Sequence, residues 1–147
     1  MKDLIFKNHE DWAGVIARIT IGLIILPHGA QKLLGIFGGF GFDATMSFFT
    51  TTMQLPWIIG FLVILIEFFG SIFLIMGFTS RIWALCMIVL MLGIIFTSHL
   101  DNGFFMNWLG NQKGEGFEYH LLIIGLSLIV TIHGSGKYAV DNMFYQK

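Results

Sequence analysis

The sequence is short of charge and of cysteine, and each shortage closes off a class of protein. Asp, Glu, Lys and Arg make up 12% of the 147 residues, about half the share a soluble domain carries. The net charge is −1 and no basic stripe is present, which argues against a nucleic-acid partner. Cys86 is the single cysteine and lies inside an apolar run, so neither an internal disulfide nor a CxxC redox pair can form. No linker, low-complexity tract or repeat divides the chain, and one domain spanning 1–147 is expected. The first apolar run has no small-residue cleavage pattern after it and further apolar runs follow, which argues against a signal peptide.

What the chain does have is apolar length. Hydrophobic residues make up 56% of it, mean hydropathy is +0.80, and its longest apolar runs approach the about 20 residues needed to cross a bilayer. The expected architecture is therefore all-α, a bundle of four transmembrane helices. Their spans are placed at about 12–34, 56–78, 82–98 and 116–133. The last is stopped by the GSG at Gly134–Gly136. Between the first two spans, Asp43 to Thr52 (DATMSFFTTT) suits either a short interfacial helix capped by Asp43 or a polar-aromatic loop. The loop from His99 to Gly114 carries Phe104, Phe105 and Trp108, residue types that favour the headgroup level. Lys2, Lys7, Arg81, Lys137 and Lys147 fall on one side of this topology, against Lys32 and Lys113 on the other. That asymmetry places both termini in the cytoplasm.

The polar residues inside these spans carry the functional signal. The first span runs into His28, Gln31 and Lys32 before it ends, His99 closes the third, Glu118 and His120 begin the fourth, and Glu115 is close by. With both termini inside, all of these gather towards the outer leaflet. Glu67 sits near mid-membrane in the second span and Arg18 lies deeper still. At 100° per residue, Arg18, Ile21, Ile25, His28 and Lys32 share one helical face with Gly14, Gly22 and Gly29 beside it. Gly60, Glu67, Gly70, Ser71 and Gly77 share another. Small residues mark helix contacts in lipid, so both sets of charges lie on packed faces. A charge at the bilayer centre costs about 2.5–3.5 kcal/mol on insertion scales. Arg18 and Glu67 meet that cost most simply as an ion pair or as the lining of a wet cavity. The competing reading is a buried polar clamp that fixes bundle geometry, and Lys32 at a span end also suits snorkelling to the headgroups.

A site of one or two histidines, a buried carboxylate, a glutamine and a lysine beside aromatic walls suits a quinone-like molecule. Its carbonyls need hydrogen-bond donors, and its reduction needs proton carriers near neutral pH. The same inventory suits a proton path or a lipid headgroup. His28, Glu67 and His120 are the candidate reacting groups, with Arg18, Gln31, Lys32, His99, Glu115 and Glu118 as candidate ligand-binding groups. The spacing of His28, His99 and His120 matches no metal or haem motif.

Four stretches carry a family resemblance: LPHGAQKLLGIFGGFG from Leu26, LIEFFGSIFLIMGFTSRIWA from Leu65, HLDNGFF from His99 and GEGFEYHLLIIG from Gly114. In order and over nearly the whole chain they resemble the DoxX family of small four-helix membrane proteins. The resemblance implies a multi-pass protein of the bacterial cytoplasmic membrane. It also implies kinship with DoxD, the membrane subunit of a thiosulfate:quinone oxidoreductase, and likeness to MauE of methylamine utilisation. Some members are linked to membrane complexes that handle thiol and oxidative stress. The resemblance brings no catalytic set with it, and with one cysteine the chain needs a partner for dithiol chemistry. The leading expectation is thus a membrane subunit of a redox system, working with a partner oxidoreductase or as a homo-oligomer, that binds a quinone or similar carrier at the outer-side cluster. The alternatives are a non-catalytic anchor or assembly factor, and a small-molecule or proton transporter.

Overall fold

The computed structural model describes residues 11–144. Lys2, Lys7 and Lys147, which enter the orientation argument, lie outside the described residues. Among those described the chain is all helical, with no strand. Helix α1 spans Trp12–Leu34 and begins at Asp11, whose carboxylate accepts from the Gly14 amide at 2.9 Å as a helix N-cap should. It passes unbroken through Pro27 and stops at Gly35, whose φ of 72° gives the left-handed C-cap glycine favours. Helix α2, Gly41–Ser47, runs on into a wide π-turn over Phe48–Thr52. The segment expected as helix or loop is therefore helical. Asp43 does not cap it, because the helix starts two residues earlier and puts Asp43 inside the first turn.

Helix α3 spans Trp57–Met76 with a π-turn at Ile66–Gly70. Helix α4 spans Ser80–Asn102, with a π-turn at Ile95–His99 and a closing 3₁₀ turn. Helix α5 is Glu118–His133, and a short α6 follows at Asp141–Phe144. Helices α1, α3 and α4 are long and apolar enough to cross a membrane, while α5 is apolar but shorter. At 1.5 Å per residue, α5 covers about 24 Å against a hydrocarbon core of about 30 Å.

The core is built by four helices meeting along their small and branched faces. Ala17, Ile21 and Ile25 of α1 meet Leu74 of α3, Ala84, Met87 and Met91 of α4, and Ile123 and Val130 of α5. Helices α1 and α3 approach closely at Gly29. A Cβ added at Gly29 would stand 2.5 Å from the Phe68 amide nitrogen and 2.6 Å from the Glu67 carbonyl carbon, so only glycine lets the two backbones touch there. Outward-facing positions such as Ile16, Leu23, Val89, Phe96, Leu122 and Ile132 are large, apolar and exposed. So much exposed apolar surface suits lipid and not water.

One end of the bundle is tied by charge to backbone. Arg18 is 2% exposed, and its guanidinium donates to the carbonyls of Ser135 at 2.7 Å, Leu74 at 3.2 Å, Lys137 at 3.2 Å and Ile75. Leu74 and Ile75 lie in the last turn of α3, where carbonyls lack intrahelical partners and the helix dipole is negative. Arg81 does the same for α5, donating to Thr131 and Ile132 at 2.8 and 3.0 Å. The buried Asp141 carboxylate accepts from the amides of Thr79 and Ser80 at the start of α4 and from the Ser135 hydroxyl. The expected Arg18–Glu67 pair does not form. Arg18 is spent on these carbonyls, about one helical turn or more beyond the reach of Glu67.

Candidate functional site

The opposite end of the bundle is open, and the polar residues of four helices converge there. Lys32, in the last turn of α1, donates from Nζ to Glu67 Oε2 at 2.6 Å. The Glu67 side chain is 5% exposed and that of Lys32 26%, so the lysine is held inward at Glu67 and not merely snorkelling. Glu67 belongs to the π-turn of α3. Such a turn inserts one residue into the helix and re-aims the side chains around it, which is why π-turns recur at functional sites. His99, which closes the π-turn of α4, is the second case.

A cavity of about 350 Å³ adjoins the ion pair. His28, Lys32, Glu67, His99, Tyr119 and His120 form its polar wall, and Ile25, Met91, Ile94 and Met106 its apolar one. The His99 and His120 rings lie 4.5 Å apart, tilted by 44°. His99 Nδ1 is 2.7 Å from the Glu115 carbonyl. A carbonyl only accepts, so Nδ1 carries a proton and donates it there. His120 is buried, and neither its Nδ1 nor the Tyr119 hydroxyl has a hydrogen-bond partner among the described residues. Buried polar atoms are almost always paired; these two stand beside the cavity, and the hydroxyls of Ser71, Ser80 and Ser127 are likewise unpartnered among the described residues.

The loop from Gly103 to Phe117 forms a partial lid over this cavity through Met106 and Glu115, and hydrogen bonds within the loop and to Glu118 hold it in place. Glu118 accepts from the Met106 amide at 3.1 Å and the Trp108 indole at 3.3 Å. Glu115 accepts from the Asn107 amide at 2.7 Å, and its carbonyl takes both His99 and Asn102. These bonds bring Met106 onto the cavity wall.

The nine candidate residues thus divide. His28, Lys32, Glu67, His99, Glu115 and His120 line the cavity. Glu118 does not, since its carboxylate is used on the lid. Gln31 turns away to donate to the Phe37 carbonyl at 3.0 Å and lines a separate cleft with Gly38, Gly39 and Phe48. Arg18 lies ten residues before His28, about 15 Å along α1. Tyr119 is the site residue that sequence reasoning missed, and its place between Glu118 and His120 was the available signal. Among the described residues, no group of three His, Cys, Asp or Glu side chains converges as a metal site requires.

Comparison with known proteins adds a second line. The DoxX family profile matches residues 13–100, the stretch that holds His28, Lys32, Glu67 and His99. The chain is 27% identical over 132 residues to "Putative oxidoreductase CatD" of Bacillus subtilis (strain 168), covering 90% of this chain and 87% of that one. It is 29% identical over 143 residues to "Inner membrane protein YqjF" of Escherichia coli (strain K12), covering 96% and 98%. No solved structure matches the chain.

Proposed function

The chain belongs to the DoxX family of membrane proteins, and on that footing we propose that it is a bacterial cytoplasmic-membrane subunit of a redox system, binding a quinone-like molecule in the cavity beside Lys32 and Glu67. The observation that carries this reading is the cavity wall itself. An ion pair, three histidines and a tyrosine line one cavity together with Ile25, Met91, Ile94 and Met106. Lys32 and Tyr119 offer donors to ring carbonyls, and Met91, Met106 and Ile94 offer contact to the ring faces. Two-electron reduction of a quinone takes up two protons, and His28 and His120 are the groups fitted to supply them. Glu67 holds Lys32 towards the guest. The electrons come from a partner oxidoreductase, in keeping with a relative named as an oxidoreductase and another as an inner-membrane protein. In the membrane the reading takes α1, α3, α4 and α5 as four spans, both termini cytoplasmic and the cavity towards the outer leaflet.

A second reading has a specific observation behind it. The Lys32–Glu67 bond joins α1 to α3, so the pair also serves as a clamp, and the protein as an anchor for a partner enzyme. One experiment separates the two. Removing one member of a buried pair costs about 3–5 kcal/mol, whereas replacing both by apolar residues is often neutral. Lys32→Ala should therefore lower the yield of folded protein, and Lys32→Met with Glu67→Leu should restore it. On the redox reading, quinone extracted by organic solvent from purified protein is present in wild type and absent from the folded double variant. A quinone-free wild type, with stability alone responding to the substitutions, establishes the clamp instead.

A further inference from the structure

The polar cavity has a neighbour on the side of α3 and α4. A second cavity, of about 400 Å³, lies between α3 and α4 and is almost wholly apolar. Lys32, Glu67 and Ile94 line both spaces, so the two abut at the ion pair. Leu62 and Ile66 of α3 face Val89 and Gly93 of α4 across the second cavity. Its inner end is polar and its flanks run out to Val89 and Leu62, which are 70% and 40% exposed. Gly93 borders open space in it: a Cβ added there meets nothing within 4 Å. Two hydroxyls border it: that of Thr97 is turned back onto the Gly93 carbonyl at 2.9 Å and lies 3.2 Å from that of Ser98, and the rest of the cleft, away from the ion pair, offers a guest hydrocarbon contact.

We infer that the ligand is a lipid with a small polar ring and a single hydrocarbon tail. Its ring occupies the histidine-lined cavity, and its tail passes the Lys32–Glu67 pair into the α3–α4 cleft, which is also its port of entry from the bilayer. This rests on the ring-binding reading above. The geometry supports it because a tail-less polar guest leaves the adjoining apolar cleft without a purpose, while a two-chain lipid exceeds it. At about 350 and 400 Å³, each space is near the lower end of small-molecule pockets, which begin at roughly 300 Å³. One holds a ring and the other a chain.

The test compares tetramethyl-benzoquinone with a decyl-substituted benzoquinone, each titrated into the full-length protein in lipid nanodiscs with partition into empty nanodiscs subtracted. Wild type is expected to bind the decyl compound more tightly by about ten-fold or more. Gly93→Phe, which fills the cleft from α4, should erase that gain and leave the tail-less affinity unchanged. Gly93→Ala, a single methyl in open space, should leave both as in wild type. A tail-dependent gain that survives Gly93→Phe overturns the inference and leaves the ring site standing. If neither compound binds wild type, the ring site itself is wrong. A decyl benzoquinone with a diazirine at the tail end gives an independent reading on unmodified protein. Label on the peptides around Leu62–Ile66 and Val89–Ile94 is expected, and label confined elsewhere overturns the inference even where Gly93→Phe fails to fold.

Discussion

Tyr119 shows how a single atom separates support from function. Its hydroxyl is buried and unpartnered among the described residues, so Tyr119→Phe removes no protein hydrogen bond and exposes no new orphan. We expect the variant to fold and melt as wild type while binding the ring compound about ten-fold more weakly, the worth of one hydrogen bond. An unchanged affinity would remove Tyr119 from the site. Glu118, one residue earlier, should behave in the opposite way. Its carboxylate holds the lid through Met106 and Trp108, and its loss acts on binding only by loosening that loop.

At the level of elements, the site depends on how closely α1 and α3 approach. Gly29 lies against the backbone of Glu67 and Phe68, and the same contact sets the height of Glu67 opposite Lys32. Gly29→Ala must push the helices apart, at about 1–3 kcal/mol for an overpacked contact. It should lower the thermal midpoint and weaken ligand binding together. Gly125→Ala on α5 is the control, since a Cβ there meets nothing within 4 Å; if it destabilises as much as Gly29→Ala, the close approach is not the cause. The π-turns at Ile66–Gly70 and Ile95–His99 act on the same scale. One lies in the middle of α3 and the other near the end of α4, and Glu67 and His99, which they carry, border one cavity.

For the whole molecule, the two ends do different work. Arg18, Arg81 and Asp141 lock one end onto backbone, while the other carries the cavity and its lid. The four-span reading places that lid outside the cell. A cysteine introduced at Asn111, which is exposed in the lid, should react with a membrane-impermeant maleimide in intact spheroplasts, against a background in which Cys86→Ser removes the native thiol. Labelling only after the membrane is breached would invert the topology.

Much of this was fixed by the chain before it folded. Low charge and long apolar runs make helices the sole economical way to satisfy the backbone in lipid, so the helical segments were legible from hydropathy. His28, Lys32 and Glu67 stood out because an apolar run does not carry them without a reason. What the sequence left undecided was which cation meets Glu67. Arg18 and Lys32 share one face of α1, and only the packing of α3 against Gly29, together with the free carbonyls at the end of α3 that draw in Arg18, selects Lys32. The division of the acidic residues was equally hidden: the carboxylates of both Glu115 and Glu118 bind backbone of the fifteen-residue loop, and only the folded molecule shows that Glu115 also borders the cavity and Glu118 does not. Periodicity determines which residues leave the lipid; depth, tilt and loop closure, which are properties of the packed bundle, decide whom they meet.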